Sequence, residues 1–117
     1  MAFVATVLIV QSNVDFHDMF TEILAGEGHT CRAVKTAAEA VKAVHVERPE
    51  VVVLALAIEG GVEPVFEALR GEPPVSVILA SGARNLPERA AALGVPYLLK
   101  PFGPEQLIEA VARVLSR

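Results

Sequence analysis

Residues 51–61 read VVVLALAIEGG, and this stretch decides the fold. Its first eight residues are apolar and four of them are β-branched. A strand exposed on one face would alternate apolar with polar residues, so an unbroken run predicts a strand buried on both faces, central in a parallel sheet. Pro49-Glu50 punctuates its start and Glu59-Gly60-Gly61 its end. In open parallel sheets, ligands and chemistry sit beyond the C-terminal ends of the strands. Here that end carries Ala55, Leu56 and Ala57, with no acid, nucleophile or metal ligand.

On either side of this strand the chain alternates between strand and helix patterns. Val4 to Val10 reads as a first strand, closed by the polar break Gln11-Ser12-Asn13. A helix is expected from Val14 to Ala25, with Phe16, Phe20, Ile23 and Leu24 at spacings of three and four as its buried stripe. Asp15 and Asp18, the only aspartates in the chain, fall in its first turns, near the positive end of the helix dipole. His29 to Lys35 is a more polar strand suited to a sheet edge, and Thr36 with Glu39 has capping-box spacing for a second helix ending near Val46. After the central strand come a helix over Val62 to Arg70, a strand over Val75 to Ala80 and a short helix over Leu86 to Leu93. A short strand over Tyr97 to Lys100 and a last helix opening at Pro104 complete the series. Five strands alternating with five helices favour a mostly parallel sheet covered on both faces, a three-layer α/β/α fold.

The 117 residues have an even composition, which predicts one domain over residues 1–117. At 53% hydrophobic and 21% charged the chain is too apolar for disorder. The net charge is −4 and the basic residues are scattered, so no nucleic acid partner is expected. The opening MAFVATVLIV is too short to span a bilayer and lacks the basic flank of a signal peptide. With a lone cysteine, Cys31, as well, a cytoplasmic protein without membrane association is expected.

Gln11-Ser12, Ser81 and Lys100 each stand at the C-terminal end of a strand pattern, and neighbouring strands would bring them to one shallow pocket around Ala55. Lysine and serine there could hold an anion, although a strand-end lysine before a proline also has a purely structural reading. Lys100-Pro101 is a candidate cis peptide, since X-Pro bonds tolerate that geometry. No metal or cofactor site is expected. Mg²⁺ prefers carboxylate or phosphate oxygens, and the pocket offers an amide, a hydroxyl and a methyl. His17, His29 and His45 fall on separate elements, Cys31 has no nearby base, and neither a phosphate loop nor a Ser-His-Asp arrangement can be assembled.

Tyr97-Leu-Leu-Lys100-Pro101-Phe102, the step Ser81-Gly82 and the Val51–Leu56 strand after Pro49-Glu50 together resemble the receiver domain of two-component response regulators, the CheY-like family. The likeness runs from Val7 to about Leu115. It implies a flavodoxin-like parallel sheet of strand order 2-1-3-4-5, with the first and fifth helices on one face and the other three opposite. It also implies positions for the family's site. The acidic pair that holds Mg²⁺ falls on Gln11 and Ser12, and the phosphoacceptor aspartate on Ala55. The phosphoryl-contacting lysine falls on Lys100, the hydroxyl that responds to activation on Ser81, and the aromatic switch on Tyr97.

All three carboxylates are therefore missing, and the expectation is a non-enzymatic pseudo-receiver with neither catalytic residue nor phosphoacceptor. It would act by phosphorylation-independent contact with a signalling kinase or effector through the region Leu86 to Arg117. The alternative is a small-anion or small-ligand sensor using the Lys100/Ser81 pocket. Without carboxylate partners, Lys100 is expected to turn to solvent or to attract an anion. An aspartate at position 55, beside that lysine and open to water, is expected to be tolerated.

Overall fold

A computed structural model describes residues 4–116. Met1 to Phe3 of the opening apolar stretch, and Arg117 at the end of the expected partner region, lie outside the described residues. Five strands and five helices alternate: β1 (Thr6–Val10), α1 (Val14–Gly26), β2 (Thr30–Val34), α2 (Ala37–Val46), β3 (Val51–Leu54), α3 (Glu63–Ala68), β4 (Ser76–Ser81), α4 (Leu86–Leu93), β5 (Tyr97–Leu99) and α5 (Pro104–Leu115). The sheet order is β2-β1-β3-β4-β5 and every pairing is parallel.

The order follows from hydrophobicity. All four β3 residues are buried, as are Val7 to Val10 of β1 and Val77 to Ser81 of β4, so these three strands take the centre. The more polar β2 and the three-residue β5 form the edges. On one face of the sheet, Phe20 and Leu24 of α1 pack with Leu107, Val111 and Val114 of α5 over Val7, Ile9, Val53 and Ile78. On the other, Ala40 and Val44 of α2, Val65 of α3 and Leu86 and Ala90 of α4 cover Leu8, Val10, Val52, Leu54 and Leu79. Alternate residues of each central strand thus serve opposite cores, as a doubly covered strand requires.

β3 is shorter than its apolar run. After Ala55, whose N–H still bonds Val10 O, the chain leaves the sheet, and Ile58 is buried from the loop rather than from the strand. The loop is fixed to α2: Glu59 O accepts from Ala37 N at 2.9 Å, and Gly60 has φ 91°. A Cβ on Gly60 would stand 2.9 Å from the Ala37 methyl, so both its conformation and its clearance demand glycine.

Thr36 caps α2 by accepting from Glu39 N at 3.1 Å, whereas the Glu39 carboxylate reaches one residue further back, to Lys35 N, at 2.8 Å. Arg48 organises the turn between α3 and β4. Its guanidinium donates to the carbonyls of Leu69, Gly71 and Pro73 at 2.6, 3.1 and 2.8 Å. No helix among the described residues is long and apolar enough to cross a membrane.

Candidate functional site

The C-terminal edge of the sheet aligns the expected site residues. Gln11 N donates to Val34 O and Ala55 N to Val10 O, both at 3.0 Å, and Lys100 N donates to Ser81 O at 2.9 Å. These bonds carry the parallel ladder one residue past the strands, so positions 11, 55, 81 and 100 stand in sequence across one edge. The backbone thus sets these four positions side by side. The side chains do something else.

Ala55 is only 5% exposed and belongs to the core beneath α2, α3 and α4, so it is not the water-facing position expected of a strand end. Gln11 is buried beside it in sequence order along the edge, and Ser12 is exposed. Ser81 is buried, and its Oγ accepts from Ala83 N at 3.1 Å, bracing the turn into α4. Tyr97 is largely exposed on the edge strand.

Lys100 neither turns freely to solvent nor meets Ser81 through its ammonium. Its Nζ lies 3.9 Å above the centre of the Phe16 ring and 5.9 Å from that of Phe20. The ring quadrupole of Phe16 gives the charge a partner where, among the described residues, no carboxylate pairs with it. Partial burial lowers the ammonium's pKa below the ordinary lysine value. Phe20 meets the Phe16 ring in a tilted contact at 5.7 Å between centroids and stacks on Phe102 at 5.6 Å, so three phenylalanines form a continuous wall. Together with Met19, Lys100 and Pro101 they line a cleft of about 420 Å³ between α1 and the β5–α5 loop. The Lys100-Pro101 bond is cis. Ser81 takes no part in this cleft.

Two of the histidines that fall on separate elements are buried with structural partners, a role the sequence pattern did not give them. His17 Nε2 donates to Val34 O at 2.9 Å, and His29 Nδ1 accepts from Ala5 N at 3.1 Å, so the proton of a neutral His29 ring is on Nε2. They tie the two ends of edge strand β2 to α1 and to the approach to β1. For His17 a signal was present, because 17, 20 and 24 share helical spacing and are the buried positions of α1. Cys31 is half-buried on β2, and burial raises its thiol pKa, as suits an unreactive side chain. Among the described residues, no three His, Cys, Asp or Glu side chains gather to hold a metal.

The geometry agrees with the comparisons to known proteins. The response regulator receiver domain family matches residues 7–112, and the chain belongs to that family, a class of signalling domain. The DNA-binding response regulator MtrA of Mycobacterium tuberculosis is 28% identical over 116 residues, covering 95% of this chain and 50% of MtrA. The chain thus spans about half the length of this relative. Among solved structures, the receiver domain of NtrX from Brucella abortus superposes with a TM-score of 0.83 at 29% identity, covering 94% of this chain and 98% of that one. A CheY-like receiver domain from Methanospirillum hungatei, at 23% identity, shares the fold with a TM-score of 0.86 over 97% of this chain and 95% of that one.

Proposed function

We propose that residues 1–117 form a single pseudo-receiver domain that is not an enzyme, accepts no phosphoryl group and signals from the cytoplasm by protein contact alone. The observation that carries this reading is the side-chain set at the edge positions matching the family's site: Gln11, Ser12 and Ala55. A carboxylate nucleophile is what an acyl phosphate needs, and a methyl group cannot supply one. Mg²⁺ holds to carboxylate oxygens, and these three residues offer it one neutral amide oxygen and one neutral hydroxyl. The site residues therefore do not fit the ion that the family implies. Lys100, seated on Phe16, supports the same reading, because its charge is accommodated without any of the three acids.

The expected partner is a signalling kinase or effector, and the contact surface runs from Leu86 to the end of the chain. On that surface Leu93, Tyr97 and Leu99 are 39%, 45% and 47% exposed, an apolar patch on and beside the edge strand. A shallow cavity of about 330 Å³ adjoins it, between Tyr97 and Leu98 of β5 and Gln106, Glu109 and Arg113 of α5. The small-anion reading has less support, since the hydroxyl of Ser81 and the ammonium of Lys100 have separate partners.

Amide NMR tests the proposal. Adding millimolar Mg²⁺ with beryllofluoride, which mimics a phosphoryl group on a carboxylate, should leave the resonances of Gln11, Ala55, Ser81 and Lys100 unmoved. Saturable shifts at those four positions would overturn it.

A further inference from the structure

We infer that the cleft formed by Phe16, Phe20, Phe102 and Lys100 is a binding site for a small amphipathic monocarboxylate, an alkyl or aryl acid whose apolar body lies on the phenylalanine wall and whose carboxylate meets the Lys100 ammonium. The cleft has the character of a ligand site on four counts. Its volume of about 420 Å³ falls within the range of roughly 300–1,000 Å³ common to small-molecule pockets. Its walls are almost wholly apolar, with Met19, whose flexible thioether adapts to varied shapes, 43% exposed at one side. The aromatic wall is already assembled, because Phe20 is 2% exposed, stacks on Phe102 and meets Phe16 in a tilted ring contact. A ligand therefore meets a surface that needs little ordering.

The fourth count is charge. Among the described residues, Lys100 is the only charged residue lining the cleft, and no carboxylate lies within 4.0 Å of its ammonium. Among the described residues, its ammonium faces the rings of Phe16 and Phe20, at 3.9 and 5.9 Å from their centres. A half-buried ammonium over a ring has lost part of its hydration, and a carboxylate would add a charge-assisted hydrogen bond that the ring cannot give. A bare inorganic anion would meet the lysine but would lose water against the apolar walls without compensation. An uncharged apolar molecule would cover the walls and leave the ammonium more deeply desolvated. The two requirements together select an acid with an apolar body. The cleft shares Lys100 with the sheet edge but is lined by none of Gln11, Ser12, Ala55 and Ser81, and its occupation by an acid is read separately from any phosphoryl transfer.

The test is a titration of the full chain with 4-phenylbutyrate, 4-phenylbutyramide and acetate, followed by amide and methyl NMR. The acid should shift Phe16, Met19, Lys100 and Phe102 saturably. The amide should bind the same residues at least about tenfold more weakly, the difference one charge-assisted hydrogen bond makes, and acetate should not saturate over the same range. Lys100→Met should abolish the preference for acid over amide, so that the two bind with similar affinity. Equal binding of acid and amide to the parent, saturation by acetate alone, shifts confined to another part of the surface, or no saturation by the acid would each overturn the assignment.

Discussion

Replacing Phe20 by alanine should cost about 3–5 kcal/mol of stability, the range for deleting a buried aromatic ring. Phe20 is 2% exposed and sits between Phe16 and Phe102, with Leu24 one turn further along the same helix face. Removing it takes away the shared partner of two rings and opens a void beneath the loop that carries Lys100. At roughly 3–5 °C per kcal/mol for a domain of this size, the melting temperature should fall by about 9–25 °C. Phe20→Leu, which keeps most of the volume, should cost less than about half as much. Urea denaturation of the three proteins checks this. A loss below about 2 kcal/mol for the alanine variant would mean that α1 and the β5–α5 loop collapse together, and that the aromatic wall is not the rigid surface described above.

Ala55→Asp should also destabilise, by about 1–3 kcal/mol at neutral pH, because it places a carboxylate where the alanine side chain is almost wholly covered. The sequence alone argued the opposite, that an acid at a strand end beside a lysine would be tolerated. Burial of Ala55 and the seating of Lys100 on Phe16 remove both halves of that argument. The pH dependence has a definite sign. Desolvation raises the folded-state pKa of the new carboxyl above its unfolded value near 4. The variant should therefore match its parent most closely below about pH 4, where the group is neutral in both states, and fall behind as pH rises through the raised folded-state value. Paired urea titrations at pH 4 and pH 7 measure it. Equal stability of variant and parent at pH 7 would show that the ammonium leaves the ring to meet the new acid.

How much of this was legible in the sequence depended on what each residue's neighbours had to be. β1, β3 and β4 could be read because a doubly buried strand needs no information beyond its own apolar run. The end of β3 could not, since the run continues through Ile58 while the chain leaves the sheet after Ala55 to meet α2. The alignment of positions 11, 55, 81 and 100 followed from parallel topology, which brings strand ends together whatever their side chains are. What those side chains touch did not follow. The partner of Lys100 is on α1, eighty-four positions earlier in the chain, and a phenylalanine within an amphipathic stripe reads as core rather than as the seat of a cation. Arg48 escaped notice for a similar reason: its partners are backbone carbonyls, which leave no mark in the sequence.

The central claim, that this receiver domain works without accepting a phosphoryl group, is tested most directly by intact-mass analysis after incubation with acetyl phosphate in millimolar Mg²⁺. The variant combining Gln11→Asp, Ser12→Asp and Ala55→Asp runs alongside as the restored comparison, provided it remains folded. The parent should keep its mass with or without the metal. The triple variant should gain a phosphoryl adduct only when Mg²⁺ is present, because its added acids would supply both the nucleophile and the oxygen ligands that the ion needs. A phosphoryl adduct on the parent that depends on Mg²⁺ and maps to the loop around Ala55 would contradict the account.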